Sequence, residues 1–213
     1  MLRSALALLA PPTCCVCSRA APVEAPLCPG CAGALRLARP ARVAVAGTDW
    51  ALAAAPYERL AGPLVAALKF RGRLALATPI ADVLAAAAGP LLEAAILVPV
   101  PAAPRRRRRR GFDPAEEIAR ALSRATGRPL ARCLRRADGP RQVGRSRRER
   151  LASPPRVRAA GPAPDLAVLV DDVVTTGATL TACAAALRGA GGRGVGAVAF
   201  ARSSDPRSRG FGP

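Results

Sequence analysis

The stretch that decides the fold is LAVLVDDVVTTGATLT, residues 166–181. Its first five residues form a short apolar run, which is typical of a strand in a parallel sheet covered by helices on both faces. Asp171 and Asp172 follow at the carboxyl end of this predicted strand, the end at which open α/β sheets bind ligands. The sequence therefore predicts an α/β fold in which two carboxylates meet polar groups of a ligand.

The residues after the acidic pair have the composition of a phosphate-binding turn. A glycine permits a tight backbone turn, and an alanine-rich helix is predicted to begin at about residue 178 or 179. Backbone N–H groups and the helix dipole favour a phosphate there, each contact contributing about 1 kcal/mol. No Walker loop is present, and a simple polar turn capping a helix is the alternative. The predicted phosphate-binding residues are Thr175, Thr176, Gly177, Ala178 and Thr179.

The composition limits the possible chemistry. The net charge is +19, the chain contains no histidine, and all but one of its 33 basic residues are arginines, Lys69 being the exception. Histidine bases, Ser-His triads and His-ligated metals are therefore excluded. The positive charge favours polyanions, above all nucleic acid and phosphorylated metabolites, although a genome-wide codon bias is another source of it.

The length of 213 residues, 51% of them hydrophobic, suits one α/β domain with a small appendage. We predict an N-terminal module over residues 1–45, a main domain over 46–202 and a flexible tail over 203–213. No apolar run approaches the ~20 residues of a membrane span, and residues 1–10 suit a brief helix better than a signal peptide. These features predict a cytoplasmic protein.

The first module contains two C-x₂-C pairs, separated by ten residues. Two such knuckles can close a tetrahedral thiolate site around Zn²⁺, and a metal suits a segment too small to bury its own core. Disulfides or scattered buried cysteines are the alternatives. Cys15, Cys133 and Cys183 are expected to lie outside the site. The predicted zinc ligands are Cys14, Cys17, Cys28 and Cys31.

A second apolar strand is predicted over residues 96–101, followed by six arginines at 105–110. Asp113 and Glu116 have capping-box spacing and Pro114 suits the first helical position, so a helix is predicted to begin there. We expect the preceding loop to form a second anion site, with Arg110 alone of the arginines turned inward.

The remaining segments are predicted more coarsely. Residues 50–57 suit an edge strand, 57–70 and 74–88 suit helices, and 195–201 suit a further strand. The KFRGR cluster at 69–73 is either an anion contact or an ordinary basic helix end. Residues 134–153 are predicted to form a long mobile loop, either disordered or a lid. The candidate lid residues are Arg141, Gln142 and Arg150.

From about Cys14 to Ala201 the chain resembles the ComF family. The resemblance rests on the paired cysteines, on LKFRG (68–72), on VPVP (98–101) with RGF (110–112), and on VDDVVTTGAT (170–179), with Gln142 and Arg150 between them. It implies a type I phosphoribosyltransferase-like parallel sheet flanked by helices behind a small zinc module with four cysteine ligands. It also implies a link to natural competence and DNA uptake.

The resemblance further implies roles for the predicted site residues. Asp171 and Asp172 would take the two ribose hydroxyls of phosphoribosyl pyrophosphate, and the 175–179 turn its 5-phosphate. Arg110 with Gly111 would take the pyrophosphate, together with Mg²⁺ bound mainly by the ligand. The catalytic residues would thus be Asp171, Asp172 and Arg110.

Two functions of different classes follow from these expectations. The first is a phosphoribosyltransferase-type enzyme, whose chemistry needs positioning and charge stabilisation rather than a protein nucleophile. The alternative is a non-catalytic, zinc-containing accessory protein that keeps the fold and binds single-stranded DNA and the DNA-uptake machinery. Salt-dependent DNA binding would distinguish the second function from the first.

Overall fold

The computed structural model describes residues 12–23, 25–137 and 155–203, and of Arg59 only the backbone. Its centre is a five-stranded sheet of order β1-β2-β7-β6-β3. All neighbouring pairs in it run parallel except the short β1, which is antiparallel to β2. The predicted mostly parallel α/β architecture is thereby confirmed. The strands are β1 (Ala41–Arg42), β2 (Trp50–Pro56), β3 (Ile96–Pro99), β6 (Leu166–Val174) and β7 (Gly194–Arg202), and β4 (Leu134–Arg136) pairs with β5 (Val157–Ala159) in a separate ribbon.

Helices cover both faces of the sheet. The described helices are α1 (Pro29–Arg36), α2 (Gly62–Arg71), α3 (Ala77–Ala88), α4 (Pro104–Arg110), α5 (Pro114–Thr126) and α6 (Ala178–Gly189), with a π-helical turn at Tyr57–Ala61 and 3₁₀ turns at Leu74–Leu76 and Gly89–Leu92. Alternate residues of the central strand point to opposite sides: Val168 and Val170 pack with α2, α3 and α5, whereas Leu169 packs with α6.

Strands β2 and β7 contain a close contact between a glycine and an aromatic ring. A Cβ on Gly196 of β7 would lie 2.3 Å from the ring of Trp50 on β2, so only glycine fits beneath that ring. This contact fixes Trp50 against the central strands. Residues 50–56 therefore lie inside the sheet, between β1 and β7, and not at its edge as the sequence suggested.

The arginine run is helical, whereas the sequence analysis placed it in a loop. Helix α4 begins at Pro104, and Gly111 ends it with φ 80°. Arginine is a good helix former, proline suits a helix start and glycine suits the left-handed position after the end.

The segment predicted as one long loop begins with strand β4, Leu134–Arg136. Its partner β5 lies at Val157–Ala159, so the two strands flank the remainder of the segment. The lid candidates Arg141, Gln142 and Arg150 lie outside the described residues, as do residues 1–11 and 204–213. Their predicted roles stay predictions.

The helical run Leu74–Leu92 is long and apolar enough to cross a membrane by length and composition. This differs from the expectation that no apolar run approaches that length. Core helices pass the same test, and Ile80, Leu84 and Leu92 lie in the buried core beside the sheet. One side of the run thus packs in the core, and 39% of its most apolar window is buried.

The N-terminal cysteine module shares its core with the sheet. Leu27 and Leu35 are 4% and 2% exposed and belong to the same buried cluster as Leu52 and Phe200 of the strands. Arg71 of α2 also donates to the Cys15 carbonyl at 3.0 Å. The module is therefore packed against the main core, and a domain boundary near residue 45 stays a prediction.

Candidate functional site

Strand β6 carries the acidic pair past the end of its neighbour β3. The ladder between the two strands ends where Pro99 lies opposite Val170, whereas β6 continues beside β7 to Val174. Asp171 and Asp172 thus lie inside a strand that is longer than predicted, at the point where its β3 edge loses its partner strand. An edge of this kind at the carboxyl end of a parallel sheet is the usual position for a ligand.

The two carboxylates point to different faces of the sheet, because neighbouring strand residues alternate. Asp171 lies on the α6 side, where its charge acts on the Cys183 thiol. Asp172 lies on the α2 side and is 7% exposed. A ligand that meets both carboxylates must therefore reach around the edge of β6 that β3 leaves unpaired after Val170.

The turn at residues 175–179 encloses a small cavity. Asp171 and residues 173–180 line a cavity of about 60 Å³. Gly177 has φ 72°, and α6 begins at Ala178 as predicted. The N-cap is a glycine, which has no side chain to occupy the first amides of α6, and the Thr176 hydroxyl lies a long 3.5 Å from the Ala178 nitrogen. The helix start is thus open to an anion.

Lys69 forms an ion pair with the acidic pair that the sequence did not predict. Its Nζ lies 2.8 Å from Oδ1 of Asp172, and the two side chains are 21% and 9% exposed. Lys69 is in the last turn of α2, where a cation also interacts favourably with the helix dipole. The KFRGR cluster is therefore more than a solvated basic helix end.

Arg110 lies at the end of α4, close to the same carboxylate. Its guanidinium carbon is 5.3 Å from the centroid of the Phe70 ring, a cation–π distance. Burial lowers the pKa of Arg110, and the negative charge of Asp172 opposes that shift. Within the described residues its Nε is buried without a hydrogen-bond partner. Of the six arginines, Arg110 is the least exposed, as predicted.

The connection between α4 and α5 is held by its own backbone and by Asp113. The N–H of Gly111 donates to the Arg107 carbonyl at 2.9 Å. The Asp113 carboxylate accepts from Ala102 at 2.7 Å and from Ala115 at 3.2 Å, which caps α5. These three N–H groups are engaged within the protein, although we expected this loop to form an anion site. The pyrophosphate role of Gly111 stays a prediction.

Negative charge accumulates around Asp171. Burial raises the pKa of Asp171 well above its ordinary value, the charge of Asp172 raises it further, and Lys69 acts in the opposite direction. Asp113 also has a pKa raised by burial. Nearby Arg136 of β4 has a pKa lowered by burial and interacts with Asp171. The site therefore places a carboxylate where ionisation is costly, which is common at functional sites.

The four predicted zinc ligands come together at the N-terminal module. Their Sγ atoms all lie within 4.8 Å of one another, and the Cys17 and Cys28 Sγ atoms are 3.6 Å apart. Zinc–sulfur bonds of about 2.3 Å in a tetrahedron place sulfur atoms about 3.8 Å apart. The cluster thus fits a structural metal ion, formed by Cys14, Cys17, Cys28 and Cys31.

The acidity of the thiols fits a metal-binding cluster. Burial acts to raise the pKa of Cys14, but backbone N–H groups of Cys17, Cys28 and Val16 outweigh it and lower the pKa to about 6. Burial and the neighbouring sulfurs raise the pKa of Cys31. Cys14 therefore loses its proton easily, whereas deprotonation of Cys31 is opposed until a cation neutralises the group.

Three contributors to the site were missed or left undecided by sequence reasoning. Lys69 could have been singled out as the only lysine, and Asp113 was recognised only as a helix cap. Phe70 gave no signal of its own. These contacts join residues far apart in the chain, which local patterns do not reveal.

Among the described residues, the cysteine cluster is the only group of three or more Cys, Asp or Glu side chains placed closely enough for a metal ion. No protein-family model matches this chain, and no curated protein matches it. Fold and site together define a mixed α/β protein with an N-terminal cluster of four cysteines and a candidate anion site at the carboxyl end of its sheet.

Proposed function

We propose that this chain binds phosphoribosyl pyrophosphate, as a protein of the phosphoribosyltransferase type related to the ComF family and linked to DNA uptake. The observation that carries the proposal is the cavity at the start of α6, formed by the 175–179 turn, with the carboxylate of Asp171 in its wall. Asp172 follows Asp171 on β6, and its charge acts on the half-buried Arg110. A sugar that carries both a phosphate and a diphosphate requires three groups: an anion site for the phosphate, an acidic pair for the sugar hydroxyls and a cation for the diphosphate.

In this proposal each group has one task. The 175–179 turn binds the 5-phosphate through the helix start, and Asp171 and Asp172 accept hydrogen bonds from the ribose hydroxyls. Arg110, whose Nε has no partner within the described residues, receives the diphosphate. Mg²⁺ enters as part of the ligand's diphosphate complex.

Transfer of the ribosyl group passes through a cation-like state as the diphosphate departs. Catalysis then depends on holding the sugar in place and on stabilising the leaving charge, and no protein nucleophile is needed. Arg110 stabilises the departing diphosphate, and the two aspartates lie where positive charge develops on the ribose. A histidine-free chain can supply all of these groups.

Thermal unfolding with phosphoribosyl pyrophosphate and Mg²⁺ tests the proposal. At a ligand concentration 100 times Kd, binding stabilises the folded state by about 2.7 kcal/mol, which raises Tm by about 5–10 °C in a domain of this size. We expect this increase for the wild type and its loss in the double variant Asp171→Asn, Asp172→Asn.

Asp165→Asn is the matched control, because the Asp165 side chain is 68% exposed and pairs with Arg193. It should keep the full ligand-induced increase. A wild-type Tm that does not respond to the ligand contradicts the proposal. Loss of DNA uptake in the host carrying the double variant would connect ligand binding to that role.

A second candidate function, single-stranded DNA binding, is favoured by the exposed face of α4. Residues 105–109 of this helix are all arginines and all exposed. Aromatics make up only 3% of the chain, so contacts should be to phosphate rather than by base stacking. The zinc-containing protein would then act as an accessory in DNA handling.

The salt dependence of DNA affinity tests this second candidate. We expect Arg107→Gln with Arg109→Gln to flatten the plot of log affinity against log salt by about 1.4, since each phosphate contact to a single strand contributes roughly 0.7. Arg124→Gln with Arg193→Gln removes the same charge elsewhere and should change the slope little. Equal slopes for all three proteins, or no DNA binding by the wild type, would eliminate the candidate.

A further inference from the structure

Lys69 is unusual by composition and by position. It is the one lysine among 33 basic residues, and it lies 2.8 Å from the acidic pair through Oδ1 of Asp172. An ammonium is a compact point charge with three donors, whereas guanidinium is a broad planar fork. In a chain that otherwise uses arginine, the compact cation occurs next to the candidate ligand site.

The residue after Lys69 contacts the other cation of the site. The Phe70 ring lies 5.3 Å from the guanidinium carbon of Arg110. Two successive residues at the end of α2 thus contact Asp172 on β6 and Arg110 on α4. Gly72, with φ 62°, ends α2 immediately afterwards. The end of this helix therefore connects the two halves of the site.

We propose that Lys69 is a positioning residue of the ligand site. It holds the Asp172 carboxylate in position to accept a hydrogen bond from a ribose hydroxyl. Because the next residue, Phe70, contacts Arg110, Lys69 also fixes the position of that carboxylate relative to Arg110. This inference rests on the proposed binding of phosphoribosyl pyrophosphate. It adds a residue that does not itself need to touch the ligand.

The charges around the acidic pair explain why such a cation is needed. The charges that act on Asp171 are those of Asp172 and Asp113, which are negative, and those of Lys69 and Arg136, which are positive. The Cys183 thiol also lies within reach of its charge. Lys69 lowers the pKa of Asp171 against the effects of burial and of Asp172. Without Lys69 the Asp171 carboxyl would retain its proton to higher pH, and a protonated carboxyl accepts fewer hydrogen bonds.

The test is the dissociation constant for phosphoribosyl pyrophosphate with Mg²⁺, measured by calorimetry at pH 6, 7 and 8. For Lys69→Met we expect affinity to fall by at least about tenfold at pH 6. The loss should shrink toward pH 8, because a protonated Asp171 must release its proton to bind and does so more readily as the pH rises. A purely structural role would give a loss independent of pH.

Arg73→Met is the matched control, since Arg73 is an exposed cation four residues along the chain. It should bind like the wild type at each pH. If Lys69→Met does not fold, Lys69→Gln replaces it with the same expectation, because glutamine keeps a donor but no charge.

The two proposals fail in different ways. No binding by the wild type overturns the proposed function and this inference together. Wild-type binding with an unchanged affinity in the Lys69 variant, or with a loss that does not vary from pH 6 to pH 8, overturns this inference alone.

Discussion

At the scale of single residues, Asp171 is a group whose charge is disfavoured by folding. Its pKa is raised by burial and by Asp172, so the folded state binds a proton more tightly than the unfolded chain does. Its contribution to stability is present below the ordinary aspartate pKa of about 3.9 and is lost as the pH rises through the folded value. Buried carboxylates with raised pKa values are common at functional sites.

The raised pKa of Asp171 predicts how the stability of Asp171→Asn depends on pH. The variant should be more stable than the wild type at neutral pH and nearly as stable at pH 4, because asparagine carries no charge that burial opposes. Urea unfolding between pH 4 and pH 8 measures the difference. Asp165→Asn, at an exposed position, should follow the wild type. A stability difference between Asp171→Asn and the wild type that is constant over this range would contradict the assignment of the raised pKa.

At the scale of elements, the sequence predicted best where local chemistry decides the structure. Strand β6, the turn at Gly177 and the start of α6 follow from an apolar run, a glycine and alanine-rich helix propensity. The α5 start follows from Asp113 and Pro114. Helix α4 was missed because its arginines were interpreted as part of the loop before α5, although its proline, arginines and glycine favour a helix.

The junction between β6 and α6 gives a prediction at this scale. Gly177 and Gly127 have nearly the same φ, 72° and 69°, so alanine at either position should cost about 1 kcal/mol of stability in the left-handed region. A Cβ at Gly177 would also lie 3.4 Å from the Val45 side chain, whereas a Cβ at Gly127 would meet no atom of another residue within 4 Å. Relief of strain at Gly177 must move the turn that lines the cavity.

We therefore expect Gly177→Ala and Gly127→Ala to lower Tm by similar amounts, about 2–4 °C. Only Gly177→Ala should reduce the further stabilisation by phosphoribosyl pyrophosphate. Thermal unfolding with and without ligand measures both effects. If both variants keep the full ligand response, the turn does not depend on the glycine conformation in the way the structure indicates.

At the scale of the whole molecule, contacts between distant elements could not be predicted from local sequence patterns. The ion pair of Lys69 with Asp172 spans two elements that no periodicity relates. The same holds for the packing of Leu27 and Leu35 against the strands, because both are ordinary apolar residues in a segment interpreted as an appendage. Local patterns specify elements, whereas these contacts depend on the complete chain fold.

The shared core gives the last prediction, which concerns the metal. Because the cysteine module packs into the same core as the sheet, removal of the metal should weaken the whole protein and not the module alone. We expect one zinc ion per chain by metal analysis. A strong chelator should lower Tm by at least about 6 °C, which corresponds to about 3 kcal/mol in a domain of this size.

Substitution of Cys17 and of Cys15 distinguishes the effect of losing the metal from the effect of losing a thiol. Cys17→Ser removes a member of the cluster, whereas Cys15→Ser changes a thiol in the same segment that lies outside it. Cys17→Ser should lose the zinc and unfold at the temperature of the chelated protein, and Cys15→Ser should keep both metal and Tm. A chelated protein that unfolds in two steps, with the sheet unchanged, would show that the module and the sheet are energetically independent. Their common core makes a single step at lower temperature the expected outcome.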